Sequence, residues 1–584
     1  MFFQRKLRAI VFLLAFGLTL PAMAQQVPGS AKSGVVERNI KTPDMFREPL
    51  ATEATPTVAK TAKEDAVLRE LDEVQASLTR KSGKHIVVSH FRFSGNTVFT
   101  GIYLEDLLSS YKNKPIDFQD LQVALAIVNK KYASQGYFLA RAILPTQEIT
   151  NGIVEIQIVE GHLGEVIVEG GRFYKADFIR DHFPCATNGI INYNALLKSI
   201  ILLNEYPDLD VKVILQKGKN SSTTDTVLKV QDRRPLHFFS DYNNFGSRYV
   251  ARHQMGTGAV YSNLIVGGDK ISINEVHGLP FHRMTYVNTE YSLPINAYGT
   301  RFGISYGWSE FDVQKEFRAL DSGGRSQTVS LELRHPLQRT LTSNADLLFG
   351  FDAKDSRNYL LGHINSVDRL RIVKVGVSGD AFDSSLKGRN YFSALLSKGV
   401  ANTFGASGHD NPLSSRAGAG GALLKANFDL ARYQRLPMDS VLLLKLSTQM
   451  ADDVLPVSEQ LAIGGENSVR GYPESEHLGD YGGVLNLELT APLPFWKNYK
   501  LALINKELKD FLKLVGFFDY GKVYLKNPQV GEAKSHQIAG SGFGFRFDFN
   551  YDLNMLLDFG FPVAGDKSSS GDKEVTYLQV IKKF

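Results

Sequence analysis

The sequence contains few residues whose type and spacing could do covalent chemistry. Gly303, Ser305 and Gly307 match the G-x-S-x-G pattern of a hydrolase nucleophile. That pattern needs a sharp turn between a strand and a helix to expose the serine. Here the serine stands in the middle of an alternating apolar run, which predicts a strand. The sequence also has no H-E-x-x-H motif and no G-K-[ST] phosphate loop. We therefore expect no catalytic residues and no enzyme activity.

Composition excludes further classes of function. Cys185 is the only cysteine among 584 residues, so neither an internal disulfide nor a Cys₄ or Cys₂His₂ zinc site can form. We expect no cofactor and no metal site. Lysine and arginine number 66 against 61 acidic residues, a net charge of +5. This balance gives no broad basic field, so nucleic acid is not an expected partner. The length predicts two to four domains.

The N-terminus predicts export from the cytoplasm. Residues 1–24 carry a basic stretch ending at Arg8, an apolar stretch over Ile10–Leu20 and a small-residue site ending at Ala24. This is the pattern of a cleaved signal peptide. A membrane anchor is the alternative, but the apolar stretch is too short to span a bilayer comfortably. No later stretch approaches ~18 consecutive apolar residues, which excludes a helical membrane protein. The remaining classes are periplasmic, secreted or outer-membrane β-barrel proteins.

The next part of the chain is a polar segment followed by two repeats. Residues 25–84 predict a linker with two short helices, about Ser30–Ile40 and Ala62–Arg80. Residues 85–161 then predict the order β-α-α-β-β, with Asp117 as an N-cap. Residues 162–232 repeat this order.

Residues 233–584 predict a transmembrane β-barrel. Between Phe543 and Tyr551 one face carries four phenylalanines and a tyrosine, and the other carries glycine, arginine, aspartate and asparagine. Short turns such as Pro294–Gly299 and His335-Pro336 alternate with longer polar loops such as 402–416. Apolar and polar faces that alternate in this way are typical of an antiparallel barrel in lipid, which must close because open edges leave unpaired backbone groups. A soluble β-sandwich or propeller is the alternative.

Arg470 and Asp519 are the charged residues of most interest in this region. If Phe518 and Tyr520 face lipid, the alternation of a strand places Phe517, Asp519 and Gly521 in the lumen. A carboxylate in a partly dry lumen favours a cation, and arginine can bind it bidentately. From the residues alone, a solvated loop arginine and an ordinary lumen aspartate remain the simpler interpretation.

Three segments resemble a known family. Lys131–Pro145 with Gly152–Gly161 resembles the first POTRA domain of TpsB-type two-partner secretion transporters. Gly464–Tyr472 contains the VRGY motif of that family's sixth loop, and Phe517–Gly521 matches its F-x-D-x-G motif. The resemblance covers roughly residues 85–584.

The resemblance implies a mixed fold and a transport function. Two periplasmic POTRA domains, 85–161 and 162–232, would precede a 16-stranded antiparallel barrel, 233–584, in the outer membrane of a Gram-negative bacterium. The barrel would carry one large unfolded exoprotein, a β-helical adhesin, haemolysin or toxin, from periplasm to cell surface. Outer-membrane lipid, the barrel-assembly machinery and periplasmic chaperones would be its other partners.

The resemblance also implies roles for particular residues. A loop at about 455–480 would fold into the lumen and be held there by an ion pair between Arg470 and Asp519. In that loop motif, which also includes Val469, Gly471 would permit a tight turn and Tyr472 would pack against the barrel wall. A helix near the N-terminus would plug the barrel. The helix ending at Arg80 has a tether of six residues, which reaches at most ~20 Å, so we favour Ser30–Ile40.

The POTRA domains would bind the exoprotein as an added strand at a sheet edge. We expect this near Leu139, Arg141, Ile143 and Leu144 and near the second repeat's helix 192–204, although a core role is the alternative for each residue. An assembly factor of the same superfamily and a passive porin are the other functional interpretations. The β-α-α-β-β repeats argue against a porin.

Overall fold

A computed structural model of the chain describes residues 31–33, 35–37, 85–187, 189–220, 223–281, 283–493, 499–501, 505–549 and 552–584. The predicted signal peptide, 1–24, and the predicted helix Ala62–Arg80 lie outside the described residues. Two small α/β domains precede a closed barrel. None of the described helices is both long and apolar enough to cross a bilayer.

The first domain has the predicted β-α-α-β-β order, with two short strands added. Its elements are β1 (Ile86–Val87), β2 (His90–Ser94), α1 (Gly101–Leu107), β3 (Pro115–Ile116), α2 (Phe118–Ser134), β4 (Arg141–Ile143) and β5 (Ile153–Val159). Asp117 is the N-cap of α2, as predicted, and forms a capping box with Asp120. The buried residues of α2 recur every three or four positions, from Leu121 to Tyr132, and pack on the sheet β2-β5-β4.

The second domain repeats this plan. Its elements are β6 (His162–Gly170), α3 (Ala176–Asp181), β7 (Ala186–Thr187), β8 (Ile190–Ile191), α4 (Tyr193–Asn204), β9 (Leu209–Lys217) and β10 (Thr223–Asp232). The sheet order is β7-β8-β6-β10-β9. The side chain of Asn192 caps α4 and donates to the carbonyl of Gln135, which ties the second domain to the first.

The barrel closes when its last strand pairs with its first. Its wall strands are β11 (Leu236–Asn243), β12 (Gln254–Ser262), β13 (Lys270–Gly278), β14 (Met284–Pro294), β15 (Arg301–Asp312), β16 (Gly323–Arg339), β17 (Ser343–Leu360), β18 (His363–Asp383), β19 (Gly388–Gly399), β20 (Leu423–Leu436), β21 (Ser440–Ala451), β24 (Tyr481–Pro492), β27 (Leu512–Tyr524), β28 (Ser535–Asp548), β29 (Leu553–Gly565) and β30 (Val575–Lys583). These 16 antiparallel strands confirm the predicted barrel.

Five short elements accompany the wall. They are β22 (Leu461–Ile463) and β23 (His477–Gly479), which pair with each other, and β25 (Lys500–Leu501), β26 (Lys506–Glu507) and α5 (Leu508–Phe511) on the connection from β24 to β27.

The predicted turn at His335-Pro336 is wrong. β16 runs through both residues to Arg339, and the register shifts between Pro336 and Gln338. Proline lacks a donor for the strand ladder and is tolerated at such a bulge, so here it marks an irregularity within a strand.

The second domain packs against one end of the barrel. Leu202 of α4 lies at the turn containing Gly299, where an added Cβ would come within 2.6 Å of its Cδ2. Glu205, just after α4, accepts a 2.5 Å hydrogen bond from Arg339 at the end of β16. The first barrel strand begins and the last one ends at this same end.

Candidate functional site

The long connection between β21 and β24, residues 452–480, turns back into the barrel, and its two ends are tied together. Asp480 is fully buried and accepts hydrogen bonds from the backbone of Leu455 at 2.9 Å and of Lys526 at 2.7 Å. The side chain of Gln460 donates a third, at 3.1 Å. One carboxylate therefore joins the start and the end of this connection, called loop L below.

The base of loop L is also anchored to the barrel wall by ion pairs. A 3-10 turn over Val457–Glu459 places the Glu459 carboxylate between Lys354 on β17, at 2.8 Å, and Lys425 on β20, at 2.7 Å. Glu459 is only 2% exposed. Its two lysine partners compensate the cost of burying its charge.

The tip of loop L carries Arg470, which the structure brings directly to Asp519 of β27. The Nε donates to Asp519 Oδ2 at 2.8 Å and Nη2 donates to Oδ1 at 3.1 Å, the bidentate geometry of an arginine–carboxylate pair. The backbone N–H of Arg470 adds a third bond at 3.1 Å. The guanidinium also lies 3.5 Å from the centroid of the Phe517 ring, a cation–π contact.

The strand alternation predicted for β27 places these partners correctly. Asp519 is 0% exposed and Phe517 is buried, whereas Phe518 and Tyr520 are exposed on the outer face. Asn486 of β24 lies opposite Asp519 in the ladder and donates to its Oδ1 at 2.8 Å.

Two further carboxylates belong to the same cluster. Arg470 Nη1 donates to Glu488 of β24 at 2.7 Å and to Asp558 of β29 at 3.2 Å. Arg546 of β28 also binds Asp558, with Nη2 at 3.0 Å from Oδ2. Among the described side chains the cluster thus sets two guanidinium groups against three carboxylates. We call these five residues the arginine cluster: Arg470, Arg546, Glu488, Asp519 and Asp558.

Glycines on three neighbouring strands leave room for the loop tip. An added Cβ at any of them would meet the tip: at Gly521 the Val469 side chain at 2.9 Å, at Gly560 the Gly471 nitrogen at 2.6 Å, and at Gly540 the Arg470 carbonyl oxygen, which it would overlap. Real Cβ atoms essentially never come within 3.0 Å of a neighbour. The wall is therefore shaped for the backbone of residues 469–471.

The last two motif residues complete the tip. Gly471 has φ +97°, a conformation that favours glycine. Its N–H donates to the hydroxyl of Tyr577 on β30 at 3.0 Å, and that hydroxyl donates to the carbonyl of Tyr472 at 2.9 Å. The Tyr472 side chain is 1% exposed and donates to the carbonyl of Ala564 at 3.0 Å.

Part of the N-terminal segment favoured as a plug lies inside the barrel. Described residues Ser33 and 35–37 are helical. The Ser33 N–H donates to Asn358 of β17 at 2.9 Å, and Glu37 accepts a hydrogen bond from Ser326 of β16. Lys32 donates to the carbonyl of Ser415 at 2.7 Å, and the hydroxyl of Ser415 accepts from Val457 of loop L at 3.0 Å. The segment and the loop base therefore meet at one serine.

The four residues proposed to bind substrate divide into two pairs. Arg141 and Ile143 are exposed on β4, an edge strand of the first domain's sheet. Leu144, in contrast, packs on the core of the first domain, and Leu139 packs on the core of the second. The helix proposed beside them, α4, is buried from Leu196 to Leu203, so the structure shows no open groove on that face.

Glu160, directly after β5, is a buried carboxylate of the first domain. It accepts hydrogen bonds from the backbone of Thr97 at 2.9 Å and Val98 at 3.1 Å and from the Tyr132 hydroxyl at 2.9 Å. Burial alone would raise the pKa of Glu160, but these bonds, led by the one from the Thr97 hydroxyl, outweigh it and lower the pKa below 4.5. The carboxylate thus fixes the loop before α1 to the end of the sheet.

Sequence reasoning missed Glu488, Asp558 and Tyr577 as partners of the loop tip, and Arg546 as a partner of Asp558. A signal for one of them exists, because Asp558-Phe559-Gly560 repeats the pattern of Asp519-Tyr520-Gly521 on another strand. In both, the aspartate faces the lumen and the glycine two positions later receives the tip.

Comparison with known proteins agrees with this architecture. Residues 222–547 match the family described as haemolysin secretion/activation protein ShlB/FhaC/HecB, and residues 86–161 match the POTRA domain of ShlB type. The heme/hemopexin transporter protein HuxB of Haemophilus influenzae is 24% identical over 82% of this chain and 84% of its own length. The outer membrane transporter CdiB of Dickeya dadantii is 22% identical over 87% and 89%.

A solved structure shows the same fold. CdiB from Escherichia coli superposes with a TM-score of 0.73 at 19% identity, covering 91% of this chain and 99% of its own. Together with the match over more than half of the sequence, the two α/β domains and the 16-stranded barrel, this shows that the chain belongs to the haemolysin secretion/activation protein family and resides in the outer membrane with its POTRA domains in the periplasm.

Proposed function

We propose that this chain is the transporter of a two-partner secretion system, which binds one unfolded exoprotein in the periplasm and passes it through the barrel to the cell surface. Proteins of this family secrete exoproteins. The observation that carries the proposal is the tip of loop L held inside the lumen by the pair of Arg470 and Asp519, above two POTRA domains. Transport, without a catalytic step by the chain, is the function that this arrangement supports best.

Loop L and the N-terminal segment are the two parts of the chain that occupy the lumen and move during transport. Both lie in the path that an extended polypeptide would take, and non-covalent contacts hold the tip of loop L and the N-terminal segment against the wall. The arginine cluster holds the loop in its resting position, and residues 31–37 act as a plug that leaves when the exoprotein enters.

The exoprotein first meets the edge strand β4. Its backbone can extend the three-stranded sheet there by main-chain hydrogen bonds, while the exposed Arg141 and Ile143 contact alternate side chains of the incoming strand. Leu139 and Leu144 support the strand from behind through their core packing.

The cargo is a large β-helical exoprotein of the adhesin, haemolysin or toxin class. Outer-membrane lipid surrounds the barrel, and the barrel-assembly machinery and periplasmic chaperones act during its biogenesis. The relatives' names indicate a heme/hemopexin system in one case, which makes a haem-acquiring exoprotein a specific candidate.

A secretion assay tests the proposal. The chain is expressed with its exoprotein, and wild type is compared with Arg470→Ala, Asp519→Ala and the control Arg325→Ala. Arg325 pairs with Glu310 at 2.6 Å, but both side chains are 47% exposed and lie outside loop L and its contacts. Heat-modifiable gel mobility confirms insertion of each barrel.

Wild type and Arg325→Ala should release cargo into the medium, whereas Arg470→Ala and Asp519→Ala should release little. Normal secretion by inserted Arg470→Ala would disprove the role of the pair. An inserted wild-type barrel that moves no cargo would disprove the transport function itself.

A further inference from the structure

A second contact between loop L and the wall lies at the cell-surface rim, away from the arginine cluster. His477 begins β23, the return strand of the loop. His536 is the second residue of β28, and Asp566 directly follows β29. β28 begins and β29 ends at the rim opposite the POTRA domains, so all three residues lie where extracellular ions can reach them.

The three side chains converge. One ligand atom from each lies within 4.8 Å of the others. Asp566 Oδ2 is 2.7 Å from Nδ1 of His536 and 3.6 Å from Nε2 of His477. The two imidazoles are parallel, with ring centroids 4.0 Å apart and planes 5° apart.

One of these three ligand atoms makes no hydrogen bond within the described part of the chain. Nε2 of His477 is buried and has no hydrogen-bond partner among the described residues. Orphaned buried polar atoms are rare because each costs free energy, so the environment of this nitrogen requires an explanation. A bound cation would satisfy the nitrogen, and two imidazoles with one carboxylate form a typical donor set for zinc and related ions.

The surroundings fit a fixed site. The backbone N–H of Asp566 donates to the carbonyl of Gln537 at 2.8 Å, which holds the carboxylate at the rim. Next to His477, Glu476 accepts from the hydroxyl of Ser569 at 2.8 Å. The return strand is therefore already seated against the wall on this side.

We propose that His477, His536 and Asp566 bind a divalent transition-metal ion such as Zn²⁺, Cu²⁺ or Ni²⁺, with water completing the coordination. Ligand atoms around one zinc ion lie roughly 3.3 Å apart, as its ~2.0 Å bonds require. Because the two rings are stacked with their planes 5° apart, the imidazoles must turn toward a common point for both nitrogens to bind one ion. The ion joins loop L to β28 and β29. It thereby fastens the return strand independently of Arg470, and binding does not depend on the proposed transport function.

Calorimetric titration of the detergent-solubilised full chain with ZnCl₂ tests the site. The protein carries no histidine tag and is first treated with chelator. Wild type should bind one ion per chain, and His477→Ala and His536→Ala should each weaken binding at least ten-fold. His409→Ala is the matched control, since His409 lies 3.7 Å from Asp410 but is 75% exposed.

Heat-modifiable mobility shows that each variant is folded, and Cu²⁺ electron paramagnetic resonance counts the nitrogen ligands. Two nitrogens in wild type and fewer in either variant support the site. Absent stoichiometric binding, or binding equal in wild type, His477→Ala and His536→Ala, would show an adventitious ion only and overturn the proposal.

Discussion

A substitution at Gly540 of β28 tests how the loop tip docks on the wall without changing any charged residue. An added methyl carbon there would overlap the backbone carbonyl of Arg470, and no side-chain rotation can relieve a clash with backbone. Gly540 has no left-handed φ, so alanine fits the strand itself. Gly540→Ala should therefore act on loop L alone.

The size of the effect follows from the contacts at the tip. To give the new Cβ the 3.0 Å that real Cβ atoms keep, the tip must withdraw by about 1 Å. This stretches the bonds of 2.8 to 3.1 Å between Arg470 and Asp519 past the roughly 3.5 Å at which they are lost. Breaking a buried ion pair costs about 3–5 kcal/mol, which lowers the ratio of docked to undocked loop by roughly 10²- to 10³-fold or more.

Secretion of the exoprotein is the assay, with Gly516→Ala as the control. Gly516 lies on β27, and an added Cβ there meets nothing within 4 Å. Gly540→Ala should secrete as poorly as Arg470→Ala, and Gly516→Ala should match wild type. If inserted Gly540→Ala secretes normally while Arg470→Ala does not, the arginine is needed for something other than docking at this seat, and our reasoning is refuted.

Two further predictions concern other parts of the chain. Deleting residues 31–37 should increase the conductance of the barrel in planar bilayers, because their contacts with Asn358 and Ser326 place them in the lumen; unchanged conductance would contradict the plug. Glu160→Gln should destabilise the periplasmic domains by about 1–3 kcal/mol at pH 7, measured by calorimetry of the full chain. Since the pKa of Glu160 is lowered, its stabilisation is complete above about pH 4.5 and is lost as pH falls through the folded value, so the difference between variant and wild type should shrink in acid; a difference independent of pH would contradict this.

The fold could be predicted because its signals are local. The alternation around Asp519 correctly separated lumen from lipid, and Asp117 correctly marked the start of α2, since both depend only on neighbouring residues. The turn predicted at Pro336 was wrong because it also depended only on a local signal. Proline usually ends a strand, but here a bulge accommodates it.

The arginine cluster was only partly predictable. Arg470 and Asp519 stand in recognisable motifs, whereas Asp558, 88 residues from Arg470, reaches it only because β29 lies two strands from β27 in the closed wall. Such contacts depend on which strands are neighbours and on the register between them. The residue pattern of a single strand contains neither kind of information. The position of Leu139 could not be predicted for a related reason, since it packs against the core of the neighbouring domain.

Ser415 gives the barrel a thermodynamic linkage between its two internal segments. Its carbonyl binds Lys32 and its hydroxyl binds Val457, so the positions of both segments depend on the 402–416 surface loop. Any coupling free energy that this shared residue transmits from the N-terminal segment to loop L acts equally in the reverse direction. We therefore expect that withdrawal of the N-terminal segment weakens the hold of Ser415 on loop L, so that the two segments move cooperatively.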